Sequence, residues 1–341
     1  MKELRFAVLG AGFWTRFQLA GWREVGGARC VAICNRTRPK AEALAREFEI
    51  PAVYDDADRL LRREKPDFVD VVTDPSTHAR FVLLAAEHRV PVVCQKPMAP
   101  SLDEAEGMVA ACRAAGVPFL VHENWRWQAP IREVKRDLEA GRLGWPFRAR
   151  LQFSSSFPVF ENQPFLRELD EFILADVGCH VLDVARFLFG EAETVACHVD
   201  RIHPDIRGED VATVLLRTAS GVTVTVELSY ASRLEHERFP ETFITVEGDG
   251  GSLVLGPGCE IRVTRPSGTE SRRAAPPHYA WADPAYDLVH ASIVPCTRDL
   301  LRALRGEGAA ETSAEDNLKT VRLVAACYES ARSGRTVPVN P

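Results

Sequence analysis

The sequence lacks the features that mark several large classes of protein. Its nine cysteines contain no Cys-x-x-Cys pair and its nine histidines are dispersed, so neither a disulfide framework nor a metal site is predicted. The net charge of −6 leaves no basic surplus to neutralise phosphates, which argues against nucleic acid and anionic membrane as partners. No apolar run reaches the roughly 18 residues of a membrane span. We therefore expect a cytoplasmic protein with reduced thiols and no bound metal.

The chain is long enough for two domains that each bury a core, with 341 residues, 46% of them hydrophobic and 26% charged. Up to about residue 122, short apolar runs alternate with amphipathic stretches. The runs predict strands at Leu4–Leu9, Cys30–Cys34, Phe68–Val72, Val90–Cys94 and Phe119–Val121. The stretches predict helices such as Arg38–Phe48, His78–His88 and Leu102–Ala115. Apolar strands alternating with helices indicate a parallel sheet covered on both faces.

The pattern changes after Pro130. A helix is predicted over 131–140, and two further helices near 288–304 and 314–331. Pairs of alternating apolar and polar runs around glycine-containing turns predict two hairpins, at 211–217 with 222–228 and at 243–246 with 252–255. The proline-containing stretch 266–277 is interpreted as a loop. The second half is thus predicted to be a mostly antiparallel sheet that carries a few helices.

A glycine turn, Gly10-Ala11-Gly12, follows the first predicted strand and precedes a helix. Glycines permit a tight turn there, and the helix N-terminus offers N–H groups to a pyrophosphate. Thr15 occupies the place of the third glycine in the G-x-G-x-x-G pattern. The position in the first strand-to-helix turn of an alternating series predicts a dinucleotide site, and a plain glycine turn is the alternative.

The second strand ends at Asn35 and Arg36, about 20 residues beyond the glycine turn, where a ribose-binding carboxylate is expected in NAD sites. Asn35 can still bond a ribose hydroxyl, and Arg36 can face a 2′-phosphate or stack on adenine. Without the carboxylate, no negative charge at this position repels the 2′-phosphate of NADP. The choice between NAD and NADP stays open, and Arg36 as a solvated residue at a helix start is the alternative.

The segment 176–188 carries two stripes in a helical projection. An apolar stripe that predicts a core-facing surface consists of Val177, Val181, Val184 and Leu188. A polar stripe rotated by only about 100° consists of Asp176, His180 and Asp183. An Asp one turn before a His can orient the imidazole, as a general acid/base requires. The alternatives are an N-cap for Asp176, a satisfied buried histidine for His180 and a surface acid for Asp183.

A lysine, Lys96, ends the apolar run 92–94, and Pro97 follows it directly. Ligands of parallel sheets gather beyond the carboxyl ends of the strands, so this lysine is delivered to the expected binding edge. Pro97 fixes its own φ angle and biases Lys96 towards extended conformations, which restricts where the ammonium group points. The alternative is a solvated turn residue.

These pieces together resemble the glucose–fructose oxidoreductase/inositol dehydrogenase family (Gfo/Idh/MocA) over nearly the whole chain. The resemblance is carried by G-A-G-F-W at 10–14, T-D-P-S-T-H at 73–78, Q-K-P at 95–97, D-V-G-C-H-V-L-D at 176–183 and the closing Y-E-S-A-R-S-G-R at 328–335. It implies an α/β protein with a doubly wound, parallel Rossmann domain over residues 1–122. It also implies an α+β domain over 123–341 with a large, mostly antiparallel open sheet, which binds substrate and mediates oligomer contacts. The C-terminal helix is expected to pack back on the Rossmann domain.

The resemblance also implies the chemistry, which is hydride transfer between NAD or NADP and a secondary alcohol or ketone of a sugar or polyol, in a homodimer or homotetramer. The family's catalytic lysine corresponds to Lys96, and its Asp and His to Asp176 and His180. The residues expected at the cofactor are Gly10, Gly12, Phe13, Trp14, Asn35, Arg36, Thr73, His78 and Gln95. The residues expected at the substrate are Lys96, Arg126, Trp127, Asp176 and His180.

Gln95 departs from the family's usual E-K-P motif, which removes a carboxylate beside Lys96. Two other functions remain open from the sequence. One is an NAD-dependent glycoside hydrolase that works by transient oxidation and consumes no net cofactor. The other is a non-catalytic NAD(P)-binding sensor, against which the presence of Lys96, Asp176 and His180 argues.

Overall fold

The computed structural model describes residues 2–235 and 238–339, without the side chain of Asn162. The chain forms two compact units that each draw on several segments. The first unit comprises the chain up to Glu123 together with Ala280–Ala282 and Ile293–Val321. The second comprises Asn124–Tyr279, Asp283–Ser292 and the chain from Arg322 onward.

The first unit is built on a six-stranded, all-parallel sheet. Its strands are β1 (Leu4–Leu9), β2 (Ala28–Cys34), β3 (Ala52–Tyr54), β4 (Phe68–Val71), β5 (Val92–Gln95) and β6 (Phe119–His122). The strand order is β3-β2-β1-β4-β5-β6, so the chain reverses direction across the sheet between β1 and β4. This is the doubly wound Rossmann order, which leaves a crevice beyond the carboxyl ends of β1 and β4. The predicted parallel sheet is confirmed.

The helices of this region alternate with the strands, as the sequence pattern predicts. They are α1 (Phe13–Val25), α2 (Arg38–Phe48), α3 (Ala57–Glu64), α4 (His78–Glu87) and α5 (Leu102–Ala115). The central strands are apolar on both faces because helices cover both. Val8, Val69 and Val92 are completely buried. Full burial of one such side chain contributes about 1.5–3 kcal/mol.

The second unit is built on a nine-stranded sheet. Its strands are β7 (Pro146–Ser154), β8 (Ala192–Asp200), β9 (Val211–Thr218), β10 (Thr223–Ser229), β11 (Thr242–Gly248), β12 (Gly251–Gly256), β13 (Glu260–Arg265), β14 (Gly268–Arg273) and β15 (Val337–Pro338). They lie in the order β14-β13-β12-β11-β7-β10-β9-β8-β15, antiparallel except for the pair β7–β10. Burial alternates along β9 and β10, so one face packs on a core and the other is more exposed.

The remaining helices are α6 (Ala129–Glu139), α7 (Val159–Asn162), α8 (Cys179–Phe189), α9 (Asp287–Leu304) and α10 (Ala314–Ser333). Both predicted hairpins are present, as β9–β10 and β11–β12. The predicted helices at 131–140, 288–304 and 314–331 are also present, within one to two residues at most ends. Among the residues described, no helix is both long and apolar enough to cross a membrane.

Two sequence predictions differ from the structure. The stretch 266–277, predicted to be a loop, contains β14, which pairs antiparallel with β13. Its side chains are nearly all exposed, so an edge strand gave no apolar alternation to detect. The segment from 176 to 188 is not one regular α-helix. A π-helical turn over Leu174–Gly178 precedes α8, and a Cβ at Gly178 would press against Leu228.

Candidate active site

The glycine turn lies between the end of β1 and the start of α1. Gly10 has a φ angle of +117°, and a Cβ there would collide with the carbonyl oxygen of Val72, at the end of β4. Only glycine satisfies both constraints. Gly12 caps the N-terminus of α1, and its amide donates to the hydroxyl of Thr15 at 3.1 Å. The residue in the place of the third glycine therefore holds the turn closed.

Asn35 ties the end of β2 to this turn. Its side-chain oxygen accepts the amide N–H of Ala11 at 3.1 Å, and its side-chain NH₂ donates to the carbonyl of Thr37 at 3.0 Å. Arg36 is exposed beside it. Phe13 and Trp14 begin α1, and Phe13 is 75% exposed. The predicted cofactor residues of β1, β2 and α1 therefore lie together at one turn.

The segment after β4 connects the glycine turn to the region of Lys96. His78 is fully buried, and its Nε2 lies 3.2 Å from the carbonyl oxygen of Thr73. Its Nδ1 lies 3.0 Å from the carbonyl oxygen of Pro97 and 3.3 Å from that of Met98. Burial lowers the pKa of His78, which favours the neutral ring. This histidine thus joins the loops that follow β4 and β5, and its contact with the cofactor stays a prediction.

Lys96 follows β5 directly and is half-buried. Its peptide bond to Pro97 is cis. Its backbone N–H donates to the side-chain oxygen of Gln95 at 3.0 Å, and the Gln95 side chain is buried. The NH₂ group of Gln95 donates to the side-chain oxygen of Gln18 at 3.1 Å. The predicted catalytic lysine therefore stands at the carboxyl edge of the sheet, with its backbone tied to a buried amide.

The side chain of Gln18 also contacts a buried carboxyl group. Asp70 of β4 is completely buried and accepts hydrogen bonds from the Gln18 NH₂ at 3.2 Å and the Trp22 indole N–H at 2.7 Å. Burial raises the pKa of Asp70 to about 7, against the lowering effect of those two hydrogen bonds. The sequence analysis did not single out Asp70 or Gln18. The lone aspartate within the apolar run of β4 is a local signal that could have pointed to Asp70.

In the second unit, His180 lies in the first turn of α8 and is 4% exposed. Its ring stacks on the indole of Trp125, with centroids 4.4 Å apart and planes 2° from parallel. The stack fixes the plane of the imidazole. Asp176 lies in the π-helical turn and is half-buried. Because that turn alters the helical spacing, the predicted orientation of His180 by Asp176 stays a prediction.

The side chains of the predicted apolar stripe, Val177, Val181, Val184 and Leu188, are all buried, as are nearly all residues of α8. Asp183 is not a surface acid, because it is fully buried and pairs with Arg126. The Arg126 guanidinium donates from Nε to one carboxylate oxygen at 2.7 Å and from Nη2 to the other at 2.5 Å. This ion pair holds the 3₁₀ turn Trp125–Trp127 against α8.

The two residues of that turn predicted to contact substrate therefore have partners within the protein. Arg126 is bound by Asp183, and the guanidinium of Arg132 lies 3.5 Å from the ring centroid of Trp127. These contacts fix where both side chains lie. Their contact with substrate stays a prediction.

The glycine turn fits a nicotinamide dinucleotide. Apart from Gly12 and the backbone next to it, no described residue places a heavy atom within 4 Å of the position that a Cβ on Gly12 would take, so the turn is open to a pyrophosphate. The turn stands at a helix N-terminus and at the reversal point of the strand order. Gly10, Gly12 and Asn35 would hold the pyrophosphate and the adjoining ribose, and the group would supply a hydride carrier.

A Rossmann unit with this turn, joined in one chain to a large mixed sheet, indicates a dinucleotide-binding protein. Two family profiles match the chain. The profile described as "Oxidoreductase family, NAD-binding Rossmann fold" matches residues 4–123, and the one described as "GFO/IDH/MocA C-terminal domain" matches residues 131–254. The protein belongs to the Gfo/Idh/MocA oxidoreductase family. The predicted family, fold class, oxidoreductase activity and nicotinamide cofactor are confirmed.

Three similar proteins cover almost the whole chain. A D-apiose dehydrogenase from Paraburkholderia graminis is 44% identical over 99% of this chain and 90% of its own length. A D-apiose dehydrogenase from Rhizobium rhizogenes is 42% identical over 99% of this chain and 98% of its own length. The crystal structure of an oxidoreductase from Agrobacterium radiobacter with NAD+, L-tartaric acid and magnesium is 42% identical, with a TM-score of 0.97 over 99% of both chains.

The raised pKa of Asp70 predicts how stability depends on pH. Between the ordinary value of 3.8 and about 7, the folded protein retains a proton that the unfolded chain releases. The contribution of this group is therefore fully present below the lower value and is lost as the pH rises through about 7. The loss has a slope of up to about 1.4 kcal/mol per pH unit.

The Asp70→Asn variant removes this component. The free energy of unfolding of the wild type minus that of the variant should fall across this pH interval and become constant above about pH 8. Urea unfolding at a series of pH values measures both. A difference that stays constant from pH 4 to 8 would show that Asp70 has an ordinary pKa in the folded protein.

Proposed function

We propose that this protein is an NAD-dependent dehydrogenase that oxidises a CH–OH group of D-apiose, or of a closely similar sugar, to a carbonyl. The observation that carries the proposal is the position of Lys96, directly after β5 and on the edge where the glycine turn follows β1. The names of the two D-apiose dehydrogenases support the choice of sugar, and the NAD+ complex supports the choice of cofactor.

In this mechanism the Lys96 ammonium donates a hydrogen bond to the oxygen of the reacting hydroxyl and stabilises the negative charge that develops there. A ring nitrogen of His180 takes the hydroxyl proton. Asp176 orients that imidazole, and the Trp125 stack limits its rotation. NAD+ held at the glycine turn would supply the hydride acceptor for that carbon. One carbonyl, one reduced cofactor and one proton result, which balances the reaction.

A substrate screen tests the reaction directly. We expect D-apiose with NAD+ to give the highest kcat/KM among aldoses, ketoses and inositols, measured as NADH absorbance. NADP+ serves as the matched comparison because Asn35 replaces the usual ribose-binding carboxylate. One NADH should form for each sugar consumed. Release of a sugar from a glycoside without net NADH would instead indicate the hydrolase that works by transient oxidation.

The Lys96→Met variant tests the assigned role of the lysine. It keeps the length of the side chain and removes the ammonium group, so kcat should fall by roughly 100- to 10,000-fold. The dissociation constant for NAD+, measured by titration with NAD+, should change little. The control is Lys2→Met, which removes an exposed ammonium just before the amino end of β1. Unchanged turnover in Lys96→Met would refute the role.

We also propose a homodimer or homotetramer that forms through the exposed face of the nine-stranded sheet. That face presents Leu215 of β9 and Val254 of β12, 48% and 40% exposed, around the ion pair of Arg150 with Glu227. Light scattering should give two or four times the chain mass of 37.8 kDa. A mass of one chain at micromolar concentration would contradict the assembly.

A further inference from the structure

A row of buried polar side chains runs from the middle of β4 to the backbone of Lys96. The Lys96 N–H donates to Gln95, the Gln95 NH₂ donates to Gln18, and the Gln18 NH₂ donates to Asp70, over distances of 3.0, 3.1 and 3.2 Å. Gln18 and Asp70 are fully buried, and Gln95 is 8% exposed. Water therefore does not replace a missing partner within the row, and each group depends on its neighbours.

The row has a direction. Asp70 accepts twice, since the Trp22 indole N–H also donates to it. Because Gln18 points its NH₂ towards Asp70, its oxygen faces Gln95, and Gln95 then points its own NH₂ towards Gln18. The Gln95 NH₂ also lies 3.3 Å from Nδ1 of His122. The only oxygen of Gln95 is thereby left for Lys96 N–H. In its ionised form, Asp70 only accepts hydrogen bonds and so sets the orientation of both amides.

While Asp70 is ionised, a carboxylate at position 95 does not fit this orientation. Its second oxygen would face the oxygen of Gln18, so two acceptors would meet in a dry site. Rotating the Gln18 amide by 180° would supply a donor to position 95. Its oxygen would then face the carboxylate of Asp70, and the same conflict would appear one step along the row. The row accommodates one carboxylate.

We propose that Gln95 is a positioning residue for Lys96, and that an amide is required at position 95 because Asp70 already holds the row's one carboxylate. This inference rests on the proposed function only in taking Lys96 as the group that acts on substrate. It accounts for the Q-K-P sequence of this chain by the hydrogen-bond directions around Gln18, without reference to the substrate.

The reverse change gives an equally definite expectation. In Asp70→Asn, an NH₂ group replaces one of the two acceptors. If that NH₂ faces Gln18, both amides must rotate, and Gln95 then presents its NH₂ to Lys96 N–H, so that two donors meet. In the double variant, Asp70→Asn with Gln95→Glu, the row runs in the opposite direction. The Gln18 amide then donates to one oxygen of the new carboxylate, and the other oxygen accepts Lys96 N–H.

Each single substitution is therefore expected to disrupt the hydrogen bonds of the row, and the two together are expected to compensate each other. At about pH 9, where the Asp70 carboxyl is ionised, Gln95→Glu and Asp70→Asn should each lower kcat by roughly 10- to 100-fold, as for a misplaced catalytic group. The KM for sugar should change much less than kcat does. The double variant should recover most of kcat. A merely structural role predicts additive losses in the double variant.

A second readout does not depend on turnover. The chain has six lysines, so a protein labelled with [15N]lysine gives at most six backbone amide signals, and Lys96→Arg identifies the one that belongs to Lys96. Exchange of that amide with D₂O should be slow in the wild type and in the double variant. It should be faster by at least roughly 10-fold in each single variant, because the acceptor is lost.

The control is Asp137→Asn, which neutralises a buried aspartate in the second unit that pairs with Arg142 and Arg272. It should leave kcat and the Lys96 amide exchange unchanged. The inference would be overturned if the double variant lost both kcat and amide protection, and if its loss of free energy in each equalled the sum for the two single variants. If Lys96 has no catalytic role, amide exchange would still be faster in the single variants and slow in the double variant, but kcat would not show this pattern. Failure of the proposed function is thereby distinguished from failure of this inference.

Discussion

Parallel pairing makes β1, β4 and β5 end at one edge of the sheet, and the arrangement of the first unit depends on this constraint. Each of the three strands is followed within two residues by a residue with a proposed role, namely Gly10, Thr73 and Lys96. The approach is so close that a side chain at Gly10 would collide with the backbone after β4. The binding edge is thus a consequence of strand pairing.

Lys96 is held at this edge from two sides. His78 contacts the carbonyl oxygens of Pro97 and Met98, and Gln95 accepts the backbone N–H of Lys96. Both side chains are buried and bonded within the first unit. An ammonium group stabilises a transition state best when its position is fixed beforehand, so that no reorganisation is needed during the reaction. We propose that the polar row provides such a position, and burial raises the pKa of its one carboxyl group, that of Asp70.

The sequence predicts most of the fold because the signals are local. The apolar runs of β1 and β5, and the alternation along β9 and β10, predict strands that the structure contains. The edge strand β14 was missed because nearly all of its side chains are exposed and it has no core face to produce a pattern. The π-helical turn was missed because the apolar residues of this segment keep the spacing of a regular α-helix.

The candidate site is predicted less completely, because the contacts that orient its residues join positions distant in sequence. Gly10, Asn35 and Lys96 could be found because each follows a recognisable strand. The partners that orient them are distant in sequence, 52 residues apart for Gln18 and Asp70 and 77 for Gln18 and Gln95. No local pattern reports such contacts. The buried pair of Arg126 with Asp183 is likewise 57 residues apart, and no local pattern predicted that these two side chains pair.

The central claim is that Lys96 acts on the oxygen that loses its proton. A crystal structure with NADH and D-apiose tests it most directly, because the reduced cofactor cannot accept a hydride and the complex persists. The account predicts Nζ of Lys96 within ~3.2 Å of one hydroxyl oxygen, on the sugar carbon nearest the nicotinamide. A sugar bound with that oxygen contacting other groups, and Nζ more than ~5 Å away, would contradict it.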